Sequence, residues 1–261
     1  MGITAIIPAR YASTRFPGKP LFLLAGKPMI LHVAERVDAA RRAGVVSHFL
    51  VATDDERIAQ VVRSAGYPVR MTSPEHPTGT DRLAEVAAGL DDELVCNIQG
   101  DEPLIDVATI AALVAPLVAD PTLAMGTLKT PLDRPEDRFD PNRGKVVVDS
   151  RGRALTFTRL PLIADVPAGK TYWNRARIEA LHAREPLTVW SDIGVYAYRR
   201  EFLLRYAKLE RTHFEKEERL EQLRALEHGF EIAAPTVAHR ALEVDTPDDV
   251  RRVEAALRAG H

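Results

Sequence analysis

Residues 3–20 read ITAIIPARYASTRFPGKP, and this stretch decides the fold. It opens with an apolar run, residues 3–7, that ends at Pro8. A continuous apolar run closed by a loop is the pattern of a fully buried strand in a parallel sheet. The loop behind it carries Arg10, Ser13, Thr14, Arg15, Gly18 and Lys19, and Pro17 and Pro20 bracket its end. Cations, hydroxyls and a glycine therefore stand at the carboxyl end of a strand, the edge at which open α/β sheets bind ligands. Arg supplies forked planar donors and Lys a point charge, so the set suits a polyanion such as a triphosphate. A solvated basic loop fits the same composition, and the loop alone does not separate the two.

The segments that follow alternate. Residues 26–44, GKPMILHVAERVDAARRAG, place Met29 or Ile30, Val33, Val37 and Ala40 at helical spacing and stop at Gly44. Residues 45–53 read as a second strand, with Thr53 set to cap a helix that begins at Asp54. A short third strand at 67–71 leads into residues 72–80, too rich in Pro, Gly and Thr to be regular, and a helix follows at 81–88. Residues 94–98 are a further apolar strand running directly into Gln99-Gly100-Asp101-Glu102-Pro103. Asp106 caps the next helix, and residues 123–130 are a strand. This rhythm predicts an α/β fold: a mostly parallel, Rossmann-like sheet flanked by helices.

After residue 130 the rhythm changes. A polar loop at 131–143 precedes a hairpin of residues 145–149 and 154–158, and residues 160–190 hold both tryptophans without a clean period. Residues 193–198 and 231–234 are strand-like, 200–206 and 215–228 helical, and Asp245-Thr246-Pro247 opens a last helix. We expect one domain over 1–261 with a smaller mixed β excursion at about 131–229.

The bulk numbers narrow the classes. With 261 residues, 46% apolar and 28% charged, the chain can bury a core and is not disordered in composition. A net charge of −2, spread along the chain, offers no nucleic-acid or membrane surface. The single cysteine, Cys96, sits in an apolar strand and reads as a buried small hydrophobe in a cytoplasmic protein. Neither a GxxxxGK[ST] loop nor a GxGxxG turn occurs, which argues against a P-loop enzyme and a dinucleotide dehydrogenase.

Four further groups could carry chemistry. Asp101 follows a buried strand, well placed for Mg²⁺, which takes hard oxygen ligands and shares them with phosphates. Asp245 stands at another strand end, where helix capping would also explain it. Two carboxylates converging on a metal beside a triphosphate loop would mean phosphoryl or nucleotidyl transfer. The segment TSPEHPTGTDR, 72–82, could read a base edge or serve as a tight connection. In FEKEERLEQLRAL, 214–226, Glu215, Glu218 and Glu221 or Gln222 share a helix face, either solvated or turned to a polyhydroxylated ligand.

Taken in order, PARYASTRFPGKPL, the 71–85 run with HPTGTDRLAE, QGDEPLI, LEQLR and VDTPDD resemble the 3-deoxy-manno-octulosonate (KDO) cytidylyltransferases, in register from residue 3 to about 257. The resemblance implies a nucleotidyltransferase that joins CTP to a small acidic acceptor, with Mg²⁺, and gives a CMP-sugar and pyrophosphate. It implies that Arg10, Ser13, Arg15 and Lys19 hold the CTP phosphates, and that Lys19 and Arg15 stabilise the charge that develops there. Thr72, Thr80 and Arg82 would read cytosine and ribose, and Asp101 and Asp245 would bind the metal. Gln99, Arg159, Asp192, Tyr196, Glu218, Glu221 and Gln222 would face the acceptor. It also implies a homodimer, with 1–130 and 230–261 as nucleotide and metal core and 131–229 serving acceptor and subunit contact.

The departures from the family pattern fall in the acceptor half. The usual His-Ile-Gly-Ile-Tyr reads Asp192-Ile193-Gly194-Val195-Tyr196, so a potential cation has become a carboxylate. Gly144 is added in Asp140-Pro141-Asn142-Arg143-Gly144-Lys145, and Ala164 stands where the family has Trp. KDO is the leading acceptor, and an amino-KDO, another nonulosonate or a phosphonate such as phosphonoformate are its rivals.

Overall fold

The computed structural model describes residues 1–12, 16–132, 135–160, 189–239, 244 and 247–258. Contacts gather the chain into two compact units, 1–126 with 195–209 and 239–261, and 127–194 with 210–238.

In the first unit the order of elements is β1 (Ile3–Ala9), β2 (Leu23–Leu24), β3 (Lys27–Pro28), α1 (Met29–Arg42), β4 (His48–Thr53), α2 (Glu56–Ser64), β5 (Val69–Met71), α3 (Gly79–Ala87), β6 (Leu94–Asn97) and α4 (Val107–Ala119). β7 (Met125–Pro131) carries the chain into the second unit and β10 (Trp190–Arg199) returns it. α5 (Arg200–Tyr206) and α8 (Pro247–Arg258) complete the first unit. Its strands run β10-β6-β1-β4-β5. β6, β1, β4 and β5 are parallel, and β10 pairs antiparallel with β6. β1 is buried from Thr4 to Ala9, as its unbroken apolar run requires when both faces are covered. The chain leaves β1 towards β4 and β5 and then crosses back to β6 on the other flank. The topological switch point therefore lies between the carboxyl ends of β1 and β6.

Three local details differ from the reading of the sequence. Residues 23–28 form a two-stranded hairpin, turned at Ala25 and Gly26 with positive φ, so α1 begins only at Met29. α2 is capped by Asp55, whose side chain accepts from Arg57 N, while Thr53 Oγ1 accepts from Asp55 N instead of capping the helix. α3 starts at Gly79, inside the segment read as irregular, because Thr78 and Asp81 form a reciprocal capping box.

In the second unit β8 (Lys145–Val148) and β9 (Ala154–Thr158) make the expected hairpin, with Lys145 opposite Thr158 and Val146 opposite Phe157. Trp190 and Ser191 of β10 pair with β8, and β11 (Ile232–Ala233) lies beside β7. The helix expected at 215–228 is two, α6 (His213–Glu218) and α7 (Leu223–Glu227). The break is Arg219, which adopts a left-handed φ of 55° and turns the chain. Among the described residues no helix is long and apolar enough to cross a membrane.

Candidate active site

A cleft of about 250 Å³ opens at the switch point, between the end of β1 (Pro8, Ala9, Arg10) and the turn after β6 (Gln99, Gly100, Asp101). The two walls approach so closely that a Cβ on Gly100 would lie 2.8 Å from the Pro8 carbonyl oxygen, so only glycine fits. Lys19 sits in the short 3₁₀ turn Lys19–Leu21 and is buried. Its Nζ donates to Asp101 Oδ2 at 2.6 Å. Asp101 keeps a side chain 30% exposed in the cleft, whereas the carboxylate of its neighbour Glu102 is 1% exposed. Burial and the adjacent Asp101 push the Glu102 carboxyl well above the ordinary glutamate value, against the opposing pull of Lys19.

The cleft's flank is tied to the segment after β5. Arg10 Nη1 donates to the Pro77 carbonyl at 3.2 Å. Arg82 is fully buried; its Nη2 pairs with Asp54 Oδ2 at 2.8 Å and its Nη1 donates to Thr72 Oγ1. Thr72 N in turn donates to Thr53 O, and Thr80 is buried in the first turn of α3. Thr72 and Arg82 thus converge, held by Asp54 at the end of β4. On the loop itself Gly18 has φ 71° and donates to the Tyr11 carbonyl, with the Tyr11 ring 3.2 Å from where its Cβ would stand. The Arg57 guanidinium lies 3.3 Å over that ring and is gripped by both oxygens of Asp55. Ser13, Arg15 and Asp245 lie outside the described residues. Val244, the chain neighbour of Asp245, is fully buried in one cluster with Leu24, Met29, Leu104 and Val253.

The acceptor residues divide between the units. Gln99 and Tyr196 belong to the first, Tyr196 standing opposite Asn97 in the β10–β6 pairing. In the second unit Arg159 and Glu218 meet: Glu218 accepts from Thr158 Oγ1 at 2.6 Å and from Arg159 N at 2.8 Å, and its carbonyl accepts from Arg159 Nε. Asp192 meets Gln222, which donates to Oδ2 at 2.8 Å, while Thr127 donates to Oδ1 at 2.8 Å. Gly144, the extra residue, accepts from Asp192 N at 2.9 Å. Glu221 lies in the turn between α6 and α7 and accepts from Arg224 N through its carbonyl. Lys145 is buried and donates to the carbonyls of Asp140, Arg143 and Arg159, which fixes the loop carrying Arg159. Burial holds its ammonium below the ordinary lysine value.

Sequence reasoning missed Asp54, Arg57, Glu102 and His239. Asp54 was legible only as a helix-opening acid, because nothing local announces a partner 28 residues away. Glu102 stands inside QGDEP, where no local signal gives it a role, and His239 lies five positions before VDTPDD.

The family model described as Cytidylyltransferase matches residues 4–232. The 3-deoxy-manno-octulosonate cytidylyltransferase of Geobacter metallireducens is 51% identical over 98% of both chains. That of Geobacter sulfurreducens is 50% identical over 99% of this chain and all of its own length. A solved structure of CMP:2-keto-3-deoxy-manno-octonic acid synthetase complexed with CTP superposes with TM-score 0.87 at 36% identity, covering both chains completely. A putative glucose-1-phosphate thymidylyltransferase from Bacillus anthracis, TM-score 0.67 at 15% identity over 100% of this chain and 97% of its own, shares the fold. The chain is a CTP-dependent nucleotidyltransferase and belongs to the 3-deoxy-manno-octulosonate cytidylyltransferase family.

Proposed function

We propose that the chain transfers the cytidylyl group of CTP to KDO, giving CMP-KDO and pyrophosphate, with Mg²⁺ as cofactor. The observation that carries the reading is the Lys19–Asp101 pair at 2.6 Å in the cleft at the switch point. It sets a phosphate-binding cation and a hard oxygen ligand side by side. Relatives named for this chemistry over nearly the whole chain length support it. In the reaction a hydroxyl oxygen of the acceptor attacks the α-phosphorus, the bond to the α,β-bridging oxygen breaks, and pyrophosphate leaves. Lys19 and Arg15 neutralise the charge that builds on the phosphates, and Arg10 and Ser13 hold them. Arg82, fixed by Asp54, positions Thr72, and with Thr80 they read cytosine and ribose.

Asp101 fits the metal by donor chemistry, and with Asp245 it would hold Mg²⁺. Among the described residues no three His, Cys, Asp or Glu side chains converge on one point. One or two carboxylates completed by substrate phosphates is the usual Mg²⁺ arrangement. Bound there, the ion neutralises phosphate charge. For the acceptor the family resemblance implies Gln99, Arg159, Asp192, Tyr196, Glu218, Glu221 and Gln222. Asp192, braced by Thr127 and Gln222, favours a second reading in which the acceptor carries a cationic or donor group, as in an amino-KDO. We also infer a homodimer, as the resemblance to the family implies, and a cytoplasmic protein, with which a single buried cysteine is in keeping.

Pyrophosphate release tests the reading, run with Mg²⁺, four nucleoside triphosphates, KDO, an amino-KDO and phosphonoformate. Turnover confined to CTP is expected, with KDO preferred. Equal turnover of UTP or GTP would sink the cytidylyl assignment. Preference for the amino acid sugar would replace the first acceptor with the second.

A further inference from the structure

Glu102 follows Asp101, which lines the cleft, and is not itself among the lining residues. Its side chain is 1% exposed, and neither carboxylate oxygen has a hydrogen-bond partner. His239 is 7% exposed at its side chain, and its Nε2 has no partner either. These orphaned atoms face each other, with Nε2 3.7 Å from Glu102 Oε2. Native interiors seldom leave such atoms unsatisfied, because each keeps the desolvation cost without a bond in return. Two remedies exist. A bridging water would need two bonds of about 2.8 Å at an open angle, a span of roughly 4.5 Å, and the gap is too short for it. Direct contact needs the gap to close by only about 0.5–1 Å to reach hydrogen-bond distance.

The two residues sit on the segments that matter. Glu102 N donates to Gln99 O and Ile105 N donates to Glu102 O, so residues 99–105 form a doubly pinned turn that carries Gly100 and Asp101. Leu104 from this turn packs in the same cluster as Val244, which lies five residues beyond His239. Drawing Glu102 onto His239 therefore moves the turn that holds Asp101 against Lys19. Lys129, Lys145 and the Glu215–Arg224 pair are also buried and polar, but each is already satisfied by carbonyls or by its partner.

We propose that Glu102 and His239 are positioning residues, a strap that closes into a direct hydrogen bond as the cleft takes the triphosphate and so sets where Asp101 stands. The proposal rests on the reading of the cleft as the CTP site.

The test uses Glu102→Met, His239→Phe, the double variant and Glu102→Gln in the full chain. Kinetics of pyrophosphate release are measured, with melting temperature without nucleotide and with CTP and Mg²⁺. Replacing both orphaned partners by apolar groups of similar size removes unsatisfied atoms, so the double variant melts no lower than wild type without nucleotide. Its kcat falls about tenfold, and its CTP-induced rise in melting temperature shrinks. The double variant is no worse than the worse single one, because the two residues act as one unit. Glu102→Gln recovers most of the turnover, since a carboxamide oxygen still accepts from His239. Wild-type turnover with an equally active double variant overturns the strap alone. So do kinetic losses that follow the melting temperature without nucleotide, or single losses that multiply in the double variant. A wild-type chain that releases no pyrophosphate from CTP with any acid overturns the site reading and the strap together.

Discussion

Lys19 and Asp101 lie 82 residues apart in the chain and meet at 2.6 Å, one from the loop after β1 and one from the turn after β6. Neither strand end alone makes a site; the sheet makes one by setting β1 and β6 side by side in register, Ile3 opposite Leu94 through Ile6 opposite Asn97. In the proposed reading the carboxylate that holds the ammonium would also take the metal, so the cation would be oriented before any phosphate arrives. Lys19→Met should lower kcat by about 10²–10³, the loss typical of removing one preorganised stabilising donor. Asp101→Ala should abolish measurable turnover while CTP binding, followed by calorimetry, is only weakened. Full turnover in Asp101→Ala would remove Asp101 from the metal assignment.

Gly100 tests the closeness of the two walls. An added Cβ would stand 2.8 Å from the Pro8 carbonyl oxygen, which belongs to a buried strand and cannot swing aside. Gly100→Ala must therefore push the Gln99–Asp101 turn away from β1. Overpacking of this kind costs about 1–3 kcal/mol and should lower the melting temperature, and the displaced Asp101 should lower kcat as well when measured well below that temperature. A fully active Gly100→Ala chain would mean the turn has room that the geometry denies.

Arg57 lies over the ring of Tyr11, in the loop after β1 that the proposed reading gives to the triphosphate. The guanidinium is largely exposed, and a cation over an aromatic face at an exposed site contributes about 0.5–1 kcal/mol. Arg57→Ala should raise the KM for CTP by about two- to fivefold and leave kcat near wild type, since no reacting atom is touched. Lys at 57 should recover part of the effect, being a cation without the planar fork. An unchanged KM in Arg57→Ala would reduce the stack to decoration.

The parallel core was legible because its signals are local. β1 and β6 are apolar runs that end in polar turns, and the covered faces of a parallel sheet leave no other pattern. Helix ends were less legible: the α3 cap depends on Thr78 and Asp81 satisfying each other, inside a segment whose composition reads as coil. The break at Arg219 is less visible still, since an arginine with positive φ carries no composition signal. Of the candidate site, Lys19, Asp101, Thr72 and Arg82 stand in legible motifs, and the structure joins them in two pairs. Their partner Asp54, and Glu102 with His239, depend on contacts between distant segments. No window of sequence holds both members.

The second unit carries its own test, at acid pH. Glu215 is 1% exposed and is gripped by Arg224 through both oxygens, at 2.8 and 2.5 Å, with Arg211 Nε at 3.1 Å. Burial alone would raise its carboxyl; the hydrogen bonds from Arg224 and Arg211 outweigh that and hold it below the ordinary glutamate value. A carboxyl depressed in the folded state binds fewer protons there than in the unfolded chain. Its stabilisation is therefore complete above the unfolded value, near pH 4.3, and is lost as pH falls through the folded value. Glu215→Gln keeps the shape and the cap at Thr212 but not the charge. Its melting temperature should lie below wild type by a constant amount from pH 7 to about 5, and the gap should narrow as pH drops below about 4. Arg224→Met, which leaves the carboxylate buried beside the exposed Arg211 alone, should cost about 3–5 kcal/mol at pH 7, on the order of 10 °C for a chain of this size. Melting curves that keep the same Glu215→Gln gap down to pH 3 would show that the ion pair contributes nothing that protonation can remove.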